Sequence, residues 1–445
     1  MIRSAALLLV AFGLLPLALV SPFVGVLLWT WISLMSPQQW VWGFAGGIRW
    51  GLYMLAATMV GWMISADRKA IPLSANNILI VVLMVWISIT TYFALVPDAA
   101  YQKWDYVFRV LVQVLISAAL MTTRVRVHAM IWMLVISIGF YGVKGGLFTV
   151  LTGGRFDVQG PEATGIEDRN HLALALSITL PLIYYLRQQS EHVWVRLGLA
   201  VAFAMHVFAI VGTYSRGGLL ALAAALGMIF LRSRAKLAPI LLVALATPAA
   251  LFFMPDRWWD RMASITAYEE DGSATGRLTI WRVCFQIGLS SIFGGGFVAN
   301  QYGYIVDRFD PTVAPRAAHS IFLEVFAEQG PIGFAIWAMT LVVGFYNASW
   351  LVRAGKRKPD WGWASELGRS TQAALVAYLV GGAFLSLGYW IQVLLLLAAI
   401  SAARGILAAD LRQEARERQL ATRIGGRRPE PGSGPAQGPV PVGLR

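Results

Sequence analysis

Three polar positions in an otherwise apolar chain carry side chains that can activate a hydroxyl group and bind an anion. His319 opens an amphipathic stretch, and an imidazole with its ordinary pKa of about 6.5 accepts a hydroxyl proton at neutral pH. Arg216 lies among Ser and Gly residues between two apolar runs, and Arg277 immediately precedes a helix-like stretch, 278–290. Guanidinium groups bind phosphate oxygens through paired N–H donors, and a helix N-terminus favours the same negative charge. These residue types predict a general base beside an anion site.

Each of the three residues also has an ordinary structural interpretation. His319 can be a capping or packing histidine, and Arg277 can be a loop arginine without a ligand. Arg216, at the edge of an apolar run, can extend its side chain to lipid phosphates. The glycines that follow it, however, allow a ligand to approach the backbone closely, which favours a binding role.

A further polar cluster, 165–171, leads into an apolar run. Asp168 or Asn170 can cap the helix that begins there, and the same side chains can contact sugar hydroxyls or phosphate. Lys103 and Arg155 are expected on the same side of the membrane. The secondary candidates for substrate contacts are Tyr214, Ser215, Arg169, Asn170, His171, Glu324, Lys103 and Arg155.

Metal and nucleotide chemistry find little support in the sequence. The five histidines are scattered, and no HxxxH, HExxH or paired-carboxylate motif falls in the segments expected outside the membrane. The single cysteine, Cys284, can form no intramolecular disulfide and has no companion ligand. The chain has no Walker lysine and no strand-borne GxGxxG motif. We therefore expect no metal, no cofactor and no soluble nucleotide-linked donor.

The composition indicates a polytopic membrane protein. Of the 445 residues, 58% are hydrophobic and 13% are charged, whereas about 25% are charged in soluble domains. The net charge of +13 comes from residues spread over short connectors and the C-terminal tail. That distribution favours the positive-inside pattern over a nucleic-acid-binding surface. Membrane lipids, and no nucleic acid, are the expected surroundings.

Apolar runs recur along the chain, and a helix needs about 20 such residues to cross a bilayer. No stretch alternates like a barrel strand, so the predicted fold is all-α with about twelve transmembrane helices. The first run is too long for one straight helix and contains Pro16 and Pro22, which predicts a broken helix or a hairpin. The predicted runs are 5–35, 47–65, 76–95, 106–122, 130–151, 171–186, 195–211, 217–231, 238–253, 331–352, 371–387 and 390–407.

Positive charges concentrate at alternate connections, which places those connections and both chain ends on the cytoplasmic side. The N-terminal run is expected to be a retained helix, because no small-residue cleavage site follows it. The predicted organisation is N-terminal transmembrane helices at 1–253, a large, partly helical outer loop with the catalytic residues at 254–330, C-terminal transmembrane helices at 331–407 and a largely disordered cytoplasmic tail at 408–445.

Several short motifs, taken in order, resemble the O-antigen ligase family, which shares a superfamily with O-antigen polymerases and bacterial O-oligosaccharyltransferases. The resemblance covers nearly the whole chain in topology, and its sharpest motifs fall between residues 214 and 333. The similar features are Tyr214-Ser215-Arg216-Gly217-Gly218, Gly276-Arg277, Ala318-His319-Ser320 with Glu324, and Gly330-Pro331-Ile332-Gly333, together with the segments 21–25 and 167–171.

The resemblance implies a metal-independent, inverting glycosyltransferase with a GT-C-like membrane fold. Such ligases transfer O-antigen from undecaprenyl diphosphate to lipid A-core at the periplasmic face of the bacterial inner membrane, in lipopolysaccharide biosynthesis. Carried over by motif, Arg216 and Arg277 would hold the donor diphosphate, and His319 would activate the acceptor hydroxyl.

Two other functions stay open. An O-antigen polymerase or a protein O-oligosaccharyltransferase would use the same motifs with a different acceptor. A lipid or glycan transporter would need no catalytic base. Transporters usually place their decisive charges near the bilayer midplane, whereas the candidates here lie at the ends of apolar runs or in the long loop, which favours catalysis.

Overall fold

The computed structural model describes residues 2–41, 44–67, 70–232, 252, 254–263 and 272–425, and within these residues every regular element is helical. The predicted span 238–253 therefore lies almost wholly outside the described residues, as do part of the loop 254–330 and the tail beyond 425. The α-helices are α1 (Ile2–Val20), α2 (Pro22–Met35), α3 (Trp50–Ile64), α4 (Ala75–Tyr92), α5 (Pro97–Leu120), α6 (Arg124–Thr152), α7 (Arg169–Gln189), α8 (Val193–Gly212), α9 (Arg216–Arg232), α10 (Asp256–Ala263), α11 (Gly272–Ser290), α12 (Gly303–Val306), α13 (Ile321–Ala354), α14 (Gly362–Gly382) and α15 (Ile391–Gly425).

Five of the described helices are long and apolar enough to cross a membrane: α4, α6, α8, α13 and the part Ile391–Leu420 of α15. Shorter apolar helices occur in α1, α2 and α3. Because lipid offers no water to backbone polar groups, helices of this kind are the expected form of a membrane-embedded chain. The all-helical membrane fold is thus supported, and the count of about twelve spans stays a prediction.

The long first run is broken, as its prolines predict. α1 ends at Val20 and α2 begins at Pro22, so the break falls at Ser21. Both helices pack on α3. A Cβ added at Gly61 of α3 would lie 2.2 Å from the Ala18 carbonyl oxygen, so α3 approaches α1 more closely than a side chain would allow.

Two helical stretches form the centre of the bundle. Residues 172–186 of α7 are buried without interruption, and so are residues 387–401, which lead into α15. Gln392 Nε2 donates to Thr179 Oγ1 at 2.8 Å and thereby joins α15 to α7. α7 also packs on α6, α8, α9 and α14. The first turn of α7 consequently has a fixed position, which matters because it carries three candidate site residues.

α11 and the segment after it, up to the start of α13, make a second, smaller hydrophobic core. Its buried members come mainly from 280–327 and include Ile280, Val283, Ile287 and Ile305. α11 packs on α13, and the N–H groups of Gly295 and Gly296 donate to carbonyl oxygens of α13 at 2.8 and 3.0 Å. The predicted loop 254–330 is therefore partly helical in its described residues; the side of the membrane on which it lies stays a prediction.

α13 changes direction at the Gly-Pro pair that the sequence places at 330–331. Gly330 has φ 66° and ψ −175°, a conformation that only glycine adopts readily. A Cβ at this position would lie 2.4 Å from the Ile292 carbonyl oxygen. The part of α13 before Gly330 thus contributes to both cores, Ala327 to the small core and Ile321 and Val325 to the bundle, and the rest continues as an apolar helix.

Candidate functional site

His319 lies just before α13 in a backbone conformation that is rare for a residue with a side chain. Its φ is +48°, in the left-handed region. The His319 N–H donates to Ser386 Oγ at 2.9 Å, and the neighbouring Ala318 carbonyl accepts from Trp281 Nε1 at 2.7 Å. The helix begins at Ile321, two residues after the predicted start. The segment before α13 is thereby fixed from both sides, by α11 and by the connector between α14 and α15.

Four other polar side chains surround the His319 imidazole closely enough to change its protonation. Partial burial lowers the His319 pKa below its ordinary value, and the positive charges of Arg277, His171 and Arg316 lower it further, while Asp168 opposes them. A lowered pKa keeps the imidazole neutral at neutral pH, which is the form that accepts a proton. The structure therefore brings His319, Arg277 and His171 into one site. We refer to His319 and these four neighbours as the His319 group; its members are His319, Arg277, Arg316, His171 and Asp168.

Asp168, one of the two residues predicted as a cap, is the cap of α7. Its Oδ1 accepts hydrogen bonds from the Asn170 N–H at 2.8 Å, from Asn170 Nδ2 at 2.9 Å and from the His171 N–H at 3.3 Å. A capping carboxylate pairs N–H groups that otherwise lack partners in the first turn of a helix. Asp168 thus fixes Asn170 and His171 at the mouth of the buried helix α7. Burial raises the Asp168 pKa, but the charge of His171 and the capping bonds outweigh it and hold the pKa below its usual value.

Arg216 is the first residue of α9, and the residues around it shape a tight turn. Tyr214 has φ +56°, and its hydroxyl donates to the Gly154 carbonyl at 2.6 Å. Ser215 Oγ accepts from the Gly218 N–H at 3.0 Å. A Cβ at Gly218 would lie 2.4 Å from Ala173 Cβ, so this glycine serves the contact between α9 and α7 rather than ligand approach. Substrate contacts of Tyr214 and Ser215 stay a prediction.

A second set of cations lies around Arg216. Arg261 Nε donates to the Tyr214 carbonyl at 3.1 Å. Burial lowers the Arg261 pKa, and so do the positive charges of Arg169, Arg216 and Arg257, while Asp157 opposes them. We refer to these charged residues as the arginine group; its members are Arg169, Arg216, Arg257, Arg261 and Asp157. Four guanidinium groups with one carboxylate give this surface the charge that a diphosphate requires.

Sequence reasoning missed two members of the arginine group, although a signal was present. Arg257 and Arg261 are four residues apart in α10, a spacing that places both on one helix face. Trp258 fixes this helix, because its Nε1 donates to the Val211 carbonyl at the end of α8 at 3.0 Å.

The first turn of α7 joins the two groups. Asp168 and His171 belong to the His319 group, whereas the adjacent Arg169 belongs to the arginine group and contacts Asp157 Oδ2 through Nη1 at 3.2 Å. A surface cleft of about 630 Å³ is lined by members of both groups and by Glu167. His319, Arg277 and Arg216 are not among the residues that line this cleft.

Lys103 and Glu324 lie in a buried ionic cluster beside this site. Lys103 Nζ is 2.8 Å from Glu324 Oε1 and 2.6 Å from Glu328 Oε1. Glu324 Oε2 also accepts from the Gly388 N–H at 2.9 Å. Both glutamates are buried, and Lys103 of α5 compensates their charges. The cluster connects α5, α13 and the connector 383–390.

Arg155 is exposed, and no described contact joins it to either group. Among the described residues, no three His, Cys, Asp or Glu side chains are arranged to hold a metal ion. The expectation that the reaction needs no metal stays a prediction.

Comparisons with known proteins found two family models, each of which matches part of the chain. Residues 199–338 match the family model described as O-antigen ligase, and residues 2–191 match a family of unknown function (DUF5935). No curated protein matches the chain. The ligase match covers about a third of the chain and supports a relation to the O-antigen ligase superfamily. His319, Arg277 and Arg216 all lie inside the ligase match, whereas Lys103 and the first turn of α7 lie inside the other.

Proposed function

We propose that the protein is an O-antigen ligase, an inverting and metal-independent glycosyltransferase. It would move O-antigen polysaccharide from undecaprenyl diphosphate to lipid A-core at the periplasmic face of the bacterial inner membrane. The family match supports the class of reaction. The observation that carries the proposal is the position of His319 beside Arg277, within the matched region, where burial and nearby cations lower the pKa of the imidazole.

The reaction assigns each group a task. His319 removes the proton of the acceptor hydroxyl as its oxygen bonds to the anomeric carbon of the donor sugar, and the imidazole keeps that proton. The bond from this carbon to the diphosphate oxygen breaks, and the electron pair leaves with the diphosphate. Attack opposite the leaving group inverts the anomeric configuration.

The leaving group acquires negative charge, and fixed cations stabilise it. Arg277 and Arg316 lie beside His319, while Arg216 lies within the arginine group, so donor phosphates extending across the first turn of α7 would meet cations from both groups. Each preorganised contact of this kind contributes on the order of 3 kcal/mol to the transition state, about a hundredfold in rate.

A transporter without chemistry is less consistent with these positions. Arg216 is the first residue of α9, His171 lies in the first turn of α7 and His319 precedes α13. All three are at helix ends, whereas transport proteins usually place their decisive charges inside broken spans near the bilayer midplane.

The test is an assay of purified protein in detergent with undecaprenyl-diphosphate-linked glycan. Three acceptors are compared: lipid A-core, a second lipid-linked glycan and an acceptor protein. The proposal expects product on lipid A-core that is undiminished by EDTA and absent with the His319→Ala variant. Product on the lipid-linked glycan or the protein alone would assign a polymerase or a protein oligosaccharyltransferase instead. No product with any acceptor would leave no support for a transferase.

A further inference from the structure

The buried ionic cluster beside the candidate site combines two carboxylates with one ammonium group. Lys103 Nζ lies 2.8 Å from Glu324 Oε1 and 2.6 Å from Glu328 Oε1, and the two glutamate side chains are only 9% and 1% exposed. Removing charges from water is unfavourable, and apolar residues of similar volume often stabilise a fold as well as a buried ion pair does. The cluster is therefore a weak source of stability, and the segments that it holds together matter more.

The two oxygens of the Glu324 carboxylate have separate partners. Oε1 faces Lys103, whereas Oε2 accepts the N–H of Gly388 in the connector 383–390 at 2.9 Å. A Cβ added at Gly388 would lie 3.2 Å from Oε2 and 2.6 Å from Val325 Cγ2, so the connector lies directly on the start of α13. Glu324 thus attaches the connector through a charged acceptor, which forms stronger hydrogen bonds than a neutral one.

The same connector holds the backbone of His319. Ser386, two residues before Gly388, accepts the His319 N–H through Oγ at 2.9 Å. His319 has φ +48°, and a residue with a side chain keeps such a conformation only where its surroundings impose it. The Glu324 N–H donates to the Ser320 carbonyl at 2.8 Å in the first turn of α13. The contacts therefore close a ring, from His319 along this turn to the carboxylate, across to the connector and back through Ser386.

Glu328 keeps Lys103 paired when Glu324 loses its charge. Its Oε1 contacts Lys103 and also accepts the Val298 N–H at 3.1 Å. A glutamine in place of Glu324 would leave one carboxylate beside one ammonium group. Because glutamine has a single acceptor oxygen, the bond to the Gly388 N–H would be either lost or made to a neutral acceptor. The substitution therefore weakens the attachment of the connector and leaves the buried charges balanced.

We propose that Glu324, anchored by Lys103, is a positioning residue for His319. It holds the connector 383–390 against α13, so that Ser386 fixes the backbone of His319 in place for proton transfer. This inference rests on the proposed function, in which His319 is the base. Glu324 itself contacts neither substrate.

Turnover and thermal stability of the full-length protein in detergent, measured together, test the proposal. Glu324→Gln should lower the turnover number about tenfold, the effect of weakening a hydrogen bond to a charged group. The Michaelis constant for the lipid-linked glycan and the melting temperature should stay unchanged. Glu366→Gln is the matched control, because Glu366 is paired with Arg369 near the start of α14, at the opposite end of that helix from the connector.

Two results of this experiment would overturn the proposal. A higher Michaelis constant with an unchanged turnover number would assign Glu324 to substrate binding. A lower turnover number with a matching fall in melting temperature would assign it a structural role.

Combination with Ser386→Ala tests the route through the connector. If the carboxylate acts through Ser386, the double variant Glu324→Gln/Ser386→Ala should lose no more turnover than Glu324→Gln alone, because residues in one hydrogen-bond network are not additive. Losses that multiply would show that Glu324 acts independently of Ser386 and would overturn the proposed route.

Hydrogen exchange gives a measurement that requires no activity. The amides of 318–320 and 384–388 should exchange about tenfold faster in Glu324→Gln than in the wild type, and those of 172–186 should not change. If no acceptor yields product, the proposed function fails, and faster exchange still supports the positioning of His319 by Glu324. Unchanged exchange at 318–320 would overturn the inference whatever the activity.

The wild-type protein decides if the Glu324→Gln variant does not fold. Segments held by one ring of contacts open together, so the protection factors of the His319 and Gly388 amides should agree within about threefold. A difference of about a hundredfold would show that the two segments open separately and would overturn the proposal.

Discussion

The two hydrophobic cores of the molecule are built differently. The bundle core contains two stretches of fifteen consecutive buried residues, 172–186 and 387–401, and many helices contribute to it. The small core uses short elements between 280 and 327, linked by glycines in left-handed conformations at 294, 296 and 330. The candidate site lies where the two cores meet, because His319 belongs to the segment that forms the small core and His171 belongs to the bundle. The bundle supplies fixed positions, and the small core supplies side chains in geometries that a helix cannot offer.

Replacing the predicted base should have the largest effect. His319→Ala should lower the turnover number by about 10²- to 10⁴-fold, the range for loss of a general base. Turnover of lipid-linked glycan onto acceptor measures it. The matched control is His192→Ala, because His192 is an exposed histidine at the start of α8. Comparable losses in both variants would show a general effect on the protein rather than loss of a base.

Removing the cation beside this base should have two effects. Arg277→Gln should slow turnover about a hundredfold and should also change its pH dependence. Burial, Arg277 and other cations hold the His319 pKa below its ordinary value of about 6.5, so the wild-type rate should fall only as the pH drops below that value. Without Arg277, protonation becomes easier and the fall should begin at higher pH. Arg357→Gln, which changes an exposed arginine, is the control variant. If the rate of the Arg277→Gln variant fell at the same pH as that of the wild type, Arg277 would not influence the protonation of His319.

A backbone substitution should distinguish the two cores. Gly330→Ala forces a side chain into a conformation with φ 66° and against the Ile292 carbonyl. The free energy of local opening around 280–306 should fall by about 1–3 kcal/mol. Hydrogen exchange measures it, with exchange in 172–186 expected to stay unchanged. Gly227→Ala in α9 is the control, since nothing lies within 4 Å of the added Cβ. Equal acceleration in both regions would show that the cores unfold together.

The smallest effect is expected for a substitution in the connector 383–390, which holds the backbone of His319 in place. Ser386→Ala removes the acceptor of the His319 N–H, which should lower turnover about fivefold, since a lost hydrogen bond costs about 1 kcal/mol. Ser190→Ala is the control, because its hydroxyl bonds the Leu186 carbonyl at the far end of α7. A base positioned through Ser386 should lose turnover without a change in Michaelis constant.

Local sequence pattern predicted what depends on local chemistry. Hydropathy predicted the helical fold, the prolines predicted the break at Ser21, and the preference of Asp for helix starts predicted the cap at Asp168. The predicted placement of Arg277 before a helical stretch was wrong, because α11 begins at Gly272 and Arg277 lies in its second turn, beyond the free N–H groups of the helix start. The proximity of Arg277 to His319, a premise of the predicted site, is present in the structure.

Contacts between distant parts of the chain could not be predicted in this way. Lys103 and Glu324 are 221 positions apart, and His319 and Ser386 are 67 apart. A helix pattern places a glutamate on the polar face and contains no information that a lysine of another helix neutralises it. The role of Gly218 also changed, because the close neighbour is Ala173 of α7 and not a ligand.

The burial of α7 limits which parts of such a protein can change in sequence during evolution. The first turn of α7 carries polar groups of the candidate site. The fifteen residues behind that turn are surrounded by other helices, so substitutions among them would disturb the whole interior. α10 and the segment 303–316 are attached by far fewer neighbours. In the proposed reaction, new glycan preferences would therefore arise in these peripheral segments while the central helices keep their sequence.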